Sequence, residues 1–343
     1  MKRRSPRPWL AAAAMAALLA LGLGACAGGG GRPAGEGPAP AEPAPGAERG
    51  PIARPGTRPV SLEFVRVYEN ERNAPYYPLE GLVAVGFGRD GTLVLADDKR
   101  GRVFGFDPER VVWYEFDTAG VRPYRPVDVV VDGFSVWVLD AGSRLLHRFQ
   151  LGGAFQDRLL NFRNIDPADD TLPTAMAVDR DGRLVVTDGV EEQVLIFDPF
   201  LALTQRVGGP GRHDEQFQQP AGVAFLPDGS FVVSDQGNAR LQRFNRLGFW
   251  EATYGGEWAV DNPLRTPQGL AADHHGNVFV ADPAAGAVHV IGPGGDFLHS
   301  AARDLPLAAV FQAPVDVAVG PDDLLAVADR ARAAVLIFRI LYE

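Results

Sequence analysis

At 343 residues and 46% hydrophobic composition, the chain is long enough to bury a sizeable core. Its 43 acidic and 33 basic residues give a formal net charge of −10, which repels phosphate backbones and anionic headgroups and argues against nucleic acid as a partner. With one cysteine there is no intramolecular disulfide, so an exported domain has to be held by its core alone.

Lys2, Arg3, Arg4 and Arg7 precede an apolar run from Trp9 to Leu23. That run of 15 residues falls short of the ~20 needed to cross a bilayer as a helix, so residues 1–25 read as an export signal and not as a span. It ends in Leu23-Gly24-Ala25-Cys26, which resembles the lipobox of bacterial lipoproteins. The resemblance implies removal of the signal before Cys26 and acylation of its thiol; the alternative is an ordinary signal peptide with an incidental cysteine. Ala27, in place of Asp, implies by that family's sorting rule an outer-membrane anchor facing the periplasm of a bacterial envelope.

Residues 27–60 hold nine Gly, eight Pro and seven Ala, too little large apolar surface to offset chain entropy. Residues 26–60 are therefore expected to be a disordered tether, roughly 30 Å across as a coil and ~100 Å as polyproline.

Residues 61–343 are a repeat. Pro126, Pro173, Pro220, Pro267 and Pro314 recur every 47 residues, each before a short apolar run. A turn follows, usually built on Asp-Gly, and then a β-rich run ending in Asp97, Asp140, Asp188, Asp235, Asp282 or Asp329. Nine residues later stands Phe106, Phe149, Phe197, Phe244, Ile291 or Phe338. Short strands with this spacing and about four per unit predict an all-β propeller. In the fourth unit "GVAFL", "SFVVSD", "RLQRFN" and "FWEATYG" supply the inner, second, third and outer strands. Six Asp marks give six blades. The last unit ends without a fourth strand, so "VSLEFVRVY" (60–68) is expected to complete it and close the ring. Asp235, being one of six copies, reads as structural, accepting hydrogen bonds from its own turn while Gly237 and Asn238 let the backbone reverse.

"FQQPAGVAFLPDGSFVVSDQGNARLQRFNRLG", residues 217–248, resembles the NHL repeat, and the resemblance extends over 79–343. "VGGPGRHDEQFQQP" (207–220) is similar to the glycine-rich linker between such repeats. The first unit departs from the pattern with extra residues, and the sixth lacks the Gly-Asn turn. The resemblance implies the fold; NHL-like propellers bind proteins, RNA, peptides or glycans, and a few are enzymes.

Two enzymatic readings stand beside a binding one. The peptide-amidating lyases share the repeat and hold zinc with histidines at the channel, which directs attention to His147, His213, His274, His275, His289 and His299. Nothing in their spacing forces three or four to converge on one ion. The calcium-dependent lactonase and phosphotriesterase propellers ring the channel mouth with acidic and amide groups. After the repeated prolines this chain offers Asp128, Thr174, Ala221, Gln268 and Asp316, of which two are carboxylates, whereas calcium takes six to eight oxygens.

In propellers the interblade segments and the turns after each second strand share one face. Arg125, Asp128, Arg212, His213, Gln219, Gln268 and Asp316 are the candidate ligand-binding residues from the former set, and Lys99, Arg100, Arg144 and Arg240 come from the latter. Basic residues gathered there suit a carboxylate-bearing partner. The competing reading pairs Arg102, Arg144 and Arg240 each with its own repeat's Asp. The expectation is a non-enzymatic, cofactor-free binding or scaffold head for an envelope protein, peptide or cell-wall glycan, attached to a membrane through Cys26. The alternative is a calcium- or zinc-dependent hydrolase or lyase acting at the channel mouth.

Overall fold

The computed structural model describes residues 60–69, 79–116, 125–165, 170–257, 259–302, 305–306 and 309–342. The export signal, Cys26 and the Gly/Pro/Ala segment up to residue 59 lie outside the described residues. Among the described residues no helix is long and apolar enough to cross a membrane.

Six four-stranded antiparallel sheets form six blades. In the fourth, the strands are Pro220–Phe225, Phe231–Asp235, Arg240–Phe244 and Trp250–Gly255, within two residues of the expected bounds. Val60–Glu69 pairs with Ala334–Tyr342 as the outer strand of the sixth blade, from Val60 opposite Tyr342 to Glu69 opposite Ala334. The first and last strands of the propeller thus close one sheet, which leaves the third strand of the last blade no free edge.

Alternation along each strand sends neighbouring side chains into opposite seams. Phe231 and Val233 pack with Val185, Val194 and Ile196 of blade three, while Val232 packs with Val278, Val280 and Ile291 of blade five. One such apolar cluster fills every junction, including that between the last and first blades, where Ala326, Ala328 and Ile337 meet Leu82, Leu95 and Phe106. The aromatic or Ile nine residues after each Asp is buried in all six copies.

The six repeated Asp residues are fully buried. Each carboxylate reaches back to the segment leading into its blade's inner strand. Asp97 accepts from the N–H of Glu80 and Gly81, Asp140 from Arg125, Asp188 from Leu172, Asp235 from Gln218, Asp282 from Arg265 and Thr266, and Asp329 from Gln312 and Ala313. In five blades it also accepts a backbone N–H of its own turn, as expected. Asp235 differs: its turn contacts come from the side chains of Asn238 (2.8 Å) and Arg240 (2.7 Å).

Gly237 does not supply the reversal. The left-handed residue is Ala239, with φ 50°, and the position four after Asp is left-handed in every blade (Gly101, Arg144, Glu192, Ala239, Gly286, Ala333; φ 48–60°). Gly237 is required for another reason, since a Cβ there would lie 2.6 Å from Gln218 Cγ and 2.8 Å from its carbonyl oxygen.

Candidate functional site

The inner strands surround a central cavity of about 910 Å³, open at its mouth, with Val85, Asp128, Thr174, Ala221, Leu270 and Asp316 among the residues that line it. Asp128 and Asp316 are second after their prolines, where the inner strands of their blades bulge. The bulge turns each carboxylate toward the neighbouring blade. Asp128 accepts from the N–H of Val129 (2.7 Å) and of Met176 in blade three (2.6 Å), and Asp316 from the N–H of Val85 in blade one (2.8 Å). Burial in this apolar surround pushes the Asp128 carboxyl up to about 7 against its backbone hydrogen bonds. Asp316 is raised well above the carboxylate range by burial and by the charge of Asp128. Blades three to six join differently: Thr174 Oγ1 donates to the Pro220 carbonyl, Ser234 Oγ to that of Gln268, and the Gly269 N–H to that of Val315. Gly222 and Gly269 permit this approach, because a Cβ would lie 2.2 Å from the Gln268 carbonyl oxygen or 2.1 Å from Asp316 Oδ1.

Gln219 and Gln268 also line this cavity, so the structure brings together Asp128, Gln219, Gln268 and Asp316. Two polar lining residues escaped the sequence reading, Gln236 and Arg330. Both stand immediately after a repeated Asp, as do the lining residues Gly189 and Pro283, so variation at that repeat position was the available signal. Arg330 holds Asp98, its counterpart in blade one, at 3.0 Å.

Arg212 and His213 are elsewhere. They border a second cleft of about 900 Å³ with Asn238, Thr253, Asn262 and Arg265. The loop that carries them is fixed from beneath: Asn238 Nδ2 donates to the Gly211 carbonyl, Arg240 Nη2 to those of His213 and Gln216, and Gln242 Nε2 to that of Gln216. Arg212 itself is exposed, 3.9 Å from Glu257. Arg125 is exposed and borders neither opening; the bond from its backbone N–H to Asp140 gives it a place in the blade lead-in.

The arginine pairing holds for Arg240 alone. Arg144, in the turn before its third strand, pairs with Asp170 in the lead-in to blade three, and Arg102 pairs with Glu115 at the end of the neighbouring outer strand. Arg100 pairs with Glu80. Few free cations therefore remain in the turns after the second strands.

The histidines are dispersed. His147 and His289 are buried in the third strands of blades two and five, and burial lowers both pKa values. His274 and His275 stack 3.9 Å apart beside Tyr342, in a turn after an inner strand, and His299 is in the outer strand of blade five. Among the described residues no three His, Cys, Asp or Glu side chains converge as metal ligands.

Residues 217–244 match the family model of the NHL repeat. The E3 ubiquitin-protein ligase NHLRC1 of Homo sapiens is 26% identical over 120 residues, 35% of this chain and 29% of that protein. Its Rattus norvegicus counterpart is 28% identical over the same shares, so the chain spans about 29% of the length of these curated relatives. Solved structures share the architecture at low identity. A gluconolactonase from Xanthomonas campestris has a TM-score of 0.61 at 17% identity, covering 84% of this chain and 99% of that one. A streptogramin B lyase has 0.58 at 12%, covering 82% and 97%. At such identities the likeness is one of fold. What this chain carries is an NHL repeat, at residues 217–244, within a six-bladed β-propeller.

Proposed function

We propose that the protein is a non-enzymatic recognition head, held at a bacterial envelope membrane by acylated Cys26, that takes a protein, peptide or glycan partner on the face formed by its interblade segments. The observation that carries this reading is the distribution of the residues that break the repeat. Gln219, Gln236, Gln268 and Arg330 line the mouth of one opening on this face and Arg212 and His213 border another, while the six-fold Asp residues are consumed in blade structure. Amide and guanidinium groups around an apolar concavity suit hydrogen-bonded recognition of peptide or sugar groups.

The test is site-specific photo-crosslinking of the full chain in intact cells. A crosslinkable residue at Gln219 or Arg212 is expected to capture a discrete partner, and one at Arg110, in a turn after a third strand, is not. Capture from all three positions alike, or from none, overturns the reading.

The Asp128–Asp316 pair is the observation that speaks for a metal-dependent hydrolase or lyase. It supplies two carboxylates, each already accepting backbone N–H groups, to a site where calcium needs six to eight oxygens. Metal analysis of the purified chain decides between the two: stoichiometric calcium or zinc lost on Asp316→Asn favours the enzyme.

A further inference from the structure

Each blade has two ends. The interblade segments and the turns after second strands form one face, and the turns after first and third strands form the other. Exposed aromatic side chains divide unequally between them. Phe134, Phe200, Phe249 and Phe297 are the exposed phenylalanines among the described residues, and all four stand at the second face. Phe134 and Phe200 are 89% and 90% exposed, and Leu247 beside Phe249 is 68% exposed. A soluble head would gain by replacing them with polar residues, so their gathering on one face marks an interaction surface.

Rigid turns hold these tips. The Phe200 N–H donates to Asp198 Oδ1, and Leu247 and Phe249 both donate to Asn245 Oδ1. The charges between them are paired at short range: Arg246 with Asp181 (2.7 Å), Arg183 with Asp179 (2.6 Å) and Arg243 with Asp228 (2.6 Å). Around Phe200 and Phe249 the apolar tips therefore project beside paired charges, while exposed Asp132 stands beside Phe134; tips of this kind suit the boundary between headgroups and acyl chains of a zwitterionic bilayer. The path of the chain points the same way. Val60 pairs with Tyr342, at the end of the last third strand, so the chain coming from the apolar run Trp9–Leu23 and from Cys26 joins the propeller at this face.

We infer that the face carrying Phe134, Phe200, Leu247 and Phe249 rests on the bilayer, which leaves the channel mouth and the Arg212 cleft turned away from the membrane toward a partner. The inference rests on the envelope-anchoring reading, and its test separates the two. In the full chain with Cys26→Ser, which has no other cysteine, single cysteines are introduced as Phe200→Cys, Phe249→Cys, Val190→Cys or Val260→Cys and labelled with an environment-sensitive dye. With phosphatidylcholine–phosphatidylethanolamine vesicles, the dye at positions 200 and 249 shifts to the blue, and at 190 and 260, on the opposite face, it does not. An equal response at all four positions, or none at 200 and 249, overturns the inference. Adding Phe134→Ser and Leu247→Ser to the labelled Phe200→Cys chain abolishes the shift, and a shift that survives both overturns it as well. Mass analysis of the Cys26 peptide from producing cells reads acylation independently: an unmodified thiol removes the anchor and leaves the orientation result standing.

Discussion

Asp235 binds Gln218 through one carboxylate oxygen and Arg240 and Asn238 through the other, with no solvent contact. Desolvation raises its pKa in spite of those donors. Removing it leaves the Arg240 guanidinium buried without its counter-charge, so Asp235→Ala is expected to cost about 3–5 kcal/mol in equilibrium denaturation. Partner capture by the folded fraction should persist. The left-handed position four residues after each Asp yields the opposite sign. An L-residue there costs roughly 1–2 kcal/mol, and the extra unfolded-state freedom of glycine takes back roughly 0.5–1. Ala333→Gly, at φ 48°, is thus expected to stabilise by about 0.5–1 kcal/mol, read as a higher denaturant midpoint at unchanged slope. Glycine occupies this position in two of the six copies, so the sequence does not disclose the shared conformation. The chain instead shows Gly237, whose duty is a close approach to Gln218.

At the scale of the strand, Val60–Glu69 closes the ring. It buries Val60, Leu62 and Tyr68 and covers the whole length of Ala334–Tyr342. Deleting residues 60–68 exposes that strand edge and uncovers the junctions to blades five and one. The expected product elutes as an aggregate and has no cooperative thermal transition. Deletion of residues 27–55 leaves the melting temperature unchanged, and calorimetry of both variants checks the pair. Strand order, blade number and this closure were legible because an undeviating period of 47 residues and an unpaired leading strand are properties of the chain alone. The candidate site was legible in part. Asp128, Gln219, Gln268 and Asp316 were found as departures from the repeat. Arg330 and Gln236 were not, because a position following an Asp turn points into the channel only once six blades have closed around it. Arg212 and His213, expected on the same interblade face, border a cleft of their own there, because the loop bound by Asn238, Arg240 and Gln242 holds them beside it.

Across the whole molecule, two sets of buried titratable groups act on stability in opposite directions. The folded Asp128 keeps its proton up to about pH 7, while the unfolded carboxyl releases it near 4. Its contribution is therefore fully present below about pH 4 and lost as pH rises through about 7. His147 and His289 are lowered by burial in their third strands, so their contribution is present above the ordinary histidine value and lost as pH falls through the folded one. Fold stability is accordingly a balance between channel and blade interiors, and single substitutions separate the two. Asp128→Asn keeps one acceptor for the backbone N–H groups of Val129 and Met176, and the loss of the second acceptor contributes a constant part of its effect at every pH. On top of that constant, the linkage term disappears with the carboxyl, so the stability gap to the parent chain is expected to narrow by on the order of 3 kcal/mol between pH 4.5 and 7.5. His289→Gln, which installs the residue that blade four carries at the equivalent Gln242, should change stability most below pH 6 and little at pH 7.5. Urea titrations of the three chains across that range decide it: a gap for Asp128→Asn that stays constant or widens with pH shows the channel carboxyl ionised in the folded protein.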